Sequence, residues 1–324
     1  MAPDKDPNFP PDLDIHPLES ATSDADARFD SAAQQDAIKT YGIAGRIWEA
    51  SHAMLAYLDP QSPLEFDPPP PTSSTSPGGL PPTTTTNFTG VELGSGTGFV
   101  AARVAEWMHP DRDLLIATDL PDVCEMLEVN LRACPTVRVC PLAWGSREDV
   151  HTIGDELGLL GCTPSRRQLT HVLCSDLIYF PALLAPLLRS LVHLTSPPLV
   201  DETCPDPASV VLSYKMRSLA KETPFWTAFG LWFEFAPVLA RRRPSLAEEA
   251  QSTVEAPVEE WSRFSPGDDL DETLVIVATR RPDSMSWQIP EDDTALLAGV
   301  GAYGTGFSKS DDQFERLLLL GMDL

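Results

Sequence analysis

The sequence predicts an α/β fold: a seven-stranded, mainly parallel sheet with helices on both faces and an antiparallel strand hairpin at its C-terminal edge. Three observations lead there. From residue 89 onward, short apolar runs alternate with segments of helical period, the pattern of parallel strands joined by crossover helices. The first strand runs directly into Gly94-Ser-Gly-Thr-Gly98, a glycine-rich turn that opens a helix. The last two strands follow each other with only a polar insert between them, which favours antiparallel pairing.

The elements follow in chain order. Residues 1–30 are acidic and polar and are expected to be disordered. A helical stretch begins near Ser31, and its later part, 47–58, sets Ile47, Ala50, Met54 and Leu58 at helical spacing. Residues 60–89 hold nine prolines and eleven Ser/Thr with no Lys or Arg, a low-complexity insert expected to be a surface loop. Strands are expected at 89–93, 113–119, 137–144, 171–176, 209–215, 232–239 and 273–281. Pro141 implies that the third ends early or lies at an edge. Helices are expected at 99–109, 122–133, 182–194 (despite Pro186) and 223–230. Residues 195–207 and 241–272 read as loops, and 282–324 as an acidic tail with a terminal helix over 311–320. The domain is therefore expected to span 31–281, with inserts at 60–89 and 241–272. There is no internal repeat.

Composition narrows the function. The net charge is −25, and it is uneven. Residues 1–40 carry nine acidic and three basic side chains, 244–272 nine and one, and 282–324 eight and two. The central globule is nearly balanced. No basic surface is available for coating nucleic acid. The polar start lacks an apolar signal region, and no run of about 18 apolar residues occurs. The six cysteines form no C-x-x-C pair and no metal-like spacing with histidine, so they are expected to be reduced thiols of an intracellular, cytoplasmic protein without a metal site.

Glu92-Leu-Gly94-Ser-Gly96-Thr-Gly98 is the strongest local signal. Glycine admits positive φ and removes the Cβ that would bar a ligand from the backbone. The helix that follows offers free N–H groups. A second acid, Asp119, ends the next strand, where it can accept both hydroxyls of a ribose. Glu92 separates two ligand classes: an anion beside a pyrophosphate is unfavourable, and an anion beside a sulfonium or amino group is favourable. The spacing also departs from the G-x-G-x-x-G of dinucleotide sites.

This arrangement resembles the class I S-adenosylmethionine-dependent methyltransferases, whose Rossmann-like sheet has seven strands. The resemblance assigns Glu92, Gly94, Gly96 and Gly98 to the first cofactor motif and Asp119 to the ribose acid. Further motifs sharpen it: Gly45-Arg-Ile-Trp48, Asp119-Leu-Pro with Asn130, Leu142-Ala-Trp144-Gly145, Ser175-Asp176-Leu-Ile-Tyr179, and Ser213-Tyr214-Lys-Met-Arg217. Together they are similar to the methyltransferase-like protein-lysine methyltransferases of group 21, and Asp176-x-x-Tyr179 is the element that selects this group. The Tyr-Lys-Met-Arg stretch looks most like the fungal elongation-factor branch. The resemblance implies S-adenosylmethionine as cofactor and translation elongation factor 1A as protein substrate.

The roles can be argued from chemistry as well. Strand C-termini converge on the crevice where open α/β sheets bind ligands. Trp144 can stack on adenine or pack at the sheet end, and Trp48 can close over the cofactor or serve as a hydrophobic staple. Asp176 follows an apolar strand and can orient an incoming ammonium, help it deprotonate through water, or contact the cofactor; otherwise it caps the next helix. The ring of Tyr179 forms a wall or bonds the amine. A small-molecule N-methyltransferase and a non-catalytic cofactor-binding scaffold stand as alternatives. No nucleic-acid or membrane partner is expected, and a monomer is.

Overall fold

The apolar run Thr89–Leu93 (β2) is buried along its whole length, as a central parallel strand must be. In the computed structural model the described residues are 15–18, 26–71, 87–158, 167–200, 207–243, 260–266 and 273–320. Parallel neighbours of β2 are Leu114–Asp119 (β3) and His171–Ser175 (β5). Val137–Pro141 (β4) pairs with β3 and closes that edge, ending at Pro141. On the other side Ser209–Lys215 (β6) follows β5 in parallel. Thr273–Arg280 (β10) then lies antiparallel between β6 and Phe233–Pro237 (β7), which forms the far edge. The sheet is seven-stranded with an antiparallel C-terminal hairpin. Chain order reverses between β2 and β5, and their carboxyl ends open a crevice there.

Helices cover both faces. Phe99–Ala105 (α3) and Glu49–Leu58 (α2) bury Val100, Val104, Met54 and Tyr57 on one side. Pro181–Leu194 (α6) and Leu219–Trp232 (α7) bury Leu187, Leu191, Trp226 and Phe229 on the other. Pro121–Asn130 (α4) starts with proline at its first position, where no N–H is missed.

Several expectations are corrected. The early helix is two: Ser31–Tyr41 (α1) ends at Gly42 (φ 57°), and a short 3-10 turn, Gly42–Gly45, precedes α2. Residues 64–67, read as low-complexity loop, form a strand (β1), with Phe66 edge-on to Tyr57 and Phe264 at 5.3 and 5.0 Å. The strand expected at 232–239 breaks after Pro237, and Leu239–Arg242 (β8) leaves the main sheet to pair with β1 and Ser262–Arg263 (β9). These three strands make a second, antiparallel sheet from segments read as loops. Arg147–Glu156 (α5) was not foreseen, although the Ser146 hydroxyl caps it by accepting from Asp149 N at 3.1 Å. The helix expected at 223–230 begins one turn earlier, at Leu219.

The two ends of the chain also differ from expectation. Of residues 1–30, positions 15–18 and 26–30 are structured and the others lie outside the described residues. Phe29 is buried edge-on to Phe99 at 5.3 Å. The buried amide of Gln34 takes hydrogen bonds from Leu18 N (3.0 Å) and Ile47 N (3.1 Å) and donates to Phe29 O (3.2 Å). Arg46 Nε donates to His16 O at 2.8 Å. The expected acidic tail is a packed cap, containing Asp293–Leu297 (α8) and Gln313–Leu320 (α9). Phe314 stacks on Trp226 at 4.2 Å, and Leu296 and Leu317 are buried. Residues 72–86, 201–206 and 244–259, most of the expected inserts, lie outside the described residues.

Arg280, 4% exposed, fastens this cap to α6. It donates to Val192 O and Ser284 O, both at 2.9 Å, and to the hydroxyls of Thr195, Ser196 and Ser284. Its guanidinium lies over the Trp232 ring, 5.0 Å from the centroid. Among the described residues, no helix is long and apolar enough to cross a membrane. Cys124, Cys140 and Cys174 are buried free thiols and Cys134 is a half-buried one; Cys162 and Cys204 lie outside the described residues.

Candidate functional site

The crevice at the carboxyl ends of the strands is a cavity of about 370 Å³. Four adjacent parallel strands each bring one ionisable group to it. Glu92 comes from β2, Asp119 from β3, Asp176 from the residue after β5, and Arg217 from just beyond β6. Trp48, Trp144 and Tyr179 line the same space, with Phe180, Leu183 and Pro186 adding apolar wall.

The glycine loop is built for close approach. Gly94 and Gly96 have φ of 59° and 54°, values that side-chain-bearing residues rarely adopt. A Cβ at Gly94 would lie 2.8 Å from Leu177 and 3.0 Å from Trp144; one at Gly96 would lie 2.9 Å from the Ala44 carbonyl. Gly98 differs. It does not line the cavity, and at φ 80° it begins α3 and packs its Cα face against Leu127 and Leu131. The loop is clamped from behind by Ser95 N to Thr118 O (2.9 Å), Thr118 Oγ1 to Glu92 O (2.7 Å) and Asn130 Nδ2 to Thr97 O (2.8 Å).

Glu92 is 2% exposed; Ser95 Oγ donates to it at 2.9 Å and the Ala101 backbone N–H faces it. Burial pushes its carboxyl up to about 8; the Ser95 bond opposes this and the Asp119 charge adds to it. Asp119 accepts from Gly96 N and Leu120 N, both at 2.8 Å. Burial raises it to about 6 against the pull of those two bonds. Both carboxylates keep lone pairs free beside the cavity.

Asp176 stands at φ 60°, and its N donates to Ser213 O at 2.8 Å. Its carboxylate is not free. Arg217 holds it in a two-pronged pair, Nη1 to Oδ1 at 2.7 Å and Nη2 to Oδ2 at 2.5 Å. Capping of α6 falls to Phe180, so Asp176 has no such part. Tyr179 is half-buried, and burial together with the nearby Asp119 and Asp176 charges lifts its hydroxyl well above the usual range. Trp48 donates Nε1–H to Ile43 O at 3.1 Å, and its ring carries Arg46 at 4.2 Å and Arg217 at 5.5 Å. At the rim, Arg46 forks onto Glu49, and Lys215 lies 3.7 Å from the same carboxylate.

Eight of the nine residues singled out from the sequence thus meet at one cavity; Gly98 supports it from outside. Arg46 and Phe180 on the cavity wall, and Glu49 paired to Arg46 beside it, were missed, because only the packing of the 3-10 turn and of α6 onto the strand ends brings them there. The arrangement suits a ligand with paired hydroxyls, a positive charge and a flat ring. Among the described residues no group of three or more His, Cys, Asp or Glu is placed to hold a metal ion.

A family model described as lysine methyltransferase matches residues 30–229. No curated protein matches significantly. Among solved structures, the CurJ carbon methyltransferase is similar at 15% identity and a TM-score of 0.36, over 62% of this chain and 50% of that one. The chain thus spans about half the length of that protein. Fibrillarin from Aeropyrum pernix, solved with natively bound S-adenosyl-L-methionine, is similar at 12% identity and a TM-score of 0.34, over 61% and 68%. Fibrillarin from Methanococcus jannaschii stands at 8% and 0.36, over 60% and 67%.

Proposed function

The chain belongs to the lysine methyltransferase family, and from that premise we propose that it is a cytoplasmic protein-lysine N-methyltransferase acting on translation elongation factor 1A. The cofactor of the family, S-adenosylmethionine, supplies an electrophilic methyl group carried on a sulfonium. The observation that carries the reading is the convergence of Glu92, Asp119 and Asp176 on one aromatic-walled cavity.

The residues fit that cofactor. Glu92 is a buried acid held by neutral donors, Ser95 Oγ and the Ala101 backbone N–H, and a cationic or amino group would supply its counter-charge. Asp119 keeps acceptor capacity for a pair of hydroxyls. Gly94 and Gly96 line the cavity and, lacking Cβ atoms, let Leu177, Trp144 and the Ala44 carbonyl close in around the loop. Trp144, packed against Gly94, offers an aromatic face at the same end.

The acceptor side is formed by Asp176, Tyr179 and Trp48. A lysine ammonium must lose one proton before its lone pair can form the new N–C bond, and Asp176 both attracts the ammonium and passes that proton toward water. Tyr179 and Trp48 hold the amine in line and exclude bulk solvent. The choice of elongation factor 1A is supported by the likeness of Tyr214-Lys-Met-Arg217 to the fungal elongation-factor branch, and by acidic flanks suited to a basic partner.

The test is incubation with labelled cofactor and either elongation factor 1A or whole-cell extract. Label should enter elongation factor 1A at lysine, and Asp176→Asn should slow it by ~10²-fold or more. Label confined to small molecules, or equal labelling by wild type and variant, overturns the reading.

A further inference from the structure

Arg217 and Asp176 form an unequal pair. The acid is a fixed part of the cavity floor: its side chain is 1% exposed, and its backbone is tied to β6 through Ser213 O. The cation is 32% exposed and reaches in from the turn between β6 and α7. The position it fills is bounded by a buried carboxylate on one side and the Trp48 ring on the other, 5.5 Å from its Cζ. A carboxylate and an aromatic face together are what recognises an alkylammonium ion. The next carboxylate along the rim, Glu49, also draws on Arg217 and already serves Arg46 and Lys215.

We propose that Arg217 occupies the acceptor subsite in the free protein as a built-in stand-in, and that a substrate ammonium enters by displacing it from Asp176 toward Glu49. The inference rests on the amine-methyltransferase reading of the cavity and adds a specificity device to it. A guanidinium fork on a carboxylate outweighs the contacts of a lone ammonium. Free lysine and small amines therefore do not open the subsite. A protein segment does, because its contacts outside the cavity supply the difference.

The probe is n-butylammonium, a mimic of the lysine side chain, titrated calorimetrically into the full-length protein with cofactor present. Wild type should bind it negligibly at millimolar concentration. Arg217→Gln should bind it at least ~10-fold more tightly, and the gain should vanish in the double variant with Asp176→Asn. In turnover, Arg217→Gln should admit small amines as acceptors and lower KM more than it changes kcat. If Arg217→Gln does not fold, Arg217→Lys keeps a cation without the fork and should show ~3-fold tighter binding. Butylammonium binding that is no tighter in either variant, or a gain that survives Asp176→Asn, overturns the proposal even if the enzyme methylates protein. The expected binding pattern without any protein methylation supports the subsite and counts instead against the proposed protein substrate.

Discussion

Arg280 and the cavity acids are ionisable groups set into the fold, and the fold treats them in opposite ways. Arg280 spends its donors on carbonyls and hydroxyls at the C-terminal end of α6 and in the turn after β10; among the described residues it has no carboxylate partner. The helix-end carbonyls supply its counter-charge. Glu92 and Asp119 each meet only neutral donors, Ser95 Oγ and the Ala101 N–H for the first and the Gly96 and Leu120 N–H for the second, and both line an open cavity. Burial of charge therefore does not mark a site by itself. Unspent hydrogen-bonding capacity facing a cavity does.

That contrast can be broken most forcefully at Arg280. Arg280→Met should strand Val192 O and Ser284 O and cost about 3–5 kcal/mol, or ~10 °C in Tm, while cofactor affinity of the folded protein stays within twofold. Denaturant melts and calorimetry on the same sample check both halves, and a large affinity loss would erase the distinction. Glu92→Gln should do the reverse. Cofactor binding should weaken ~10–100-fold, the size of a lost charge-assisted contact, with stability at neutral pH no lower than wild type.

A smaller effect is expected where the C-terminal cap meets α7. A Cβ at Gly230 would lie 2.2 Å from Asp311 Oδ1, so Gly230→Ala should cost about 1–3 kcal/mol and leave cofactor affinity unchanged. The finest discrimination is by pH. Burial lifts Glu92 from 4.5 to about 8, so the folded protein holds that proton where the unfolded chain has lost it. Below about 6.5 this is offset by His171 and His193, each lowered by burial to about 4, so stability without cofactor should fall most clearly from about 6.5 to 8, and Glu92→Gln should flatten that slope. Arg280, lowered by burial to about 10, should leave the slope in that window unchanged. Thermal melts across the window decide the matter.

The sheet was legible because its central strands are buried on both faces and therefore read as unbroken apolar runs, as in Val172-Leu-Cys174 and Val210-Val-Leu212. The side of the cavity proposed for the cofactor was legible for a related reason: Glu92, the glycines and Asp119 sit at strand ends, where position in sequence fixes position in space. The second sheet was not. Phe66, Phe264 and Ala240 come from segments nearly 200 residues apart, and each looks like loop until its partners are present. The side proposed for the acceptor was half legible. Asp176 and Tyr179 could be named, but the grip of Arg217 on Asp176 depends on how the turn after β6 folds back, which no local pattern encodes. The C-terminal cap was obscured by its acidic composition, since Phe314 and Leu317 are buried beside exposed Asp and Glu.

The first residues of the chain look the easiest to trim, and Gln34 makes that a poor economy. One side-chain oxygen receives both Leu18 N and Ile47 N, the residue before Trp48, while Arg46 holds His16 O. A shortened version starting after Leu18 would keep every residue proposed for catalysis and still lose the tie of Arg46 to His16 and the Leu18 bond that helps to fix Gln34, which in turn holds Ile47. Such a preparation would report a looser enzyme than the native chain, and an assay built on it would understate what the protein does.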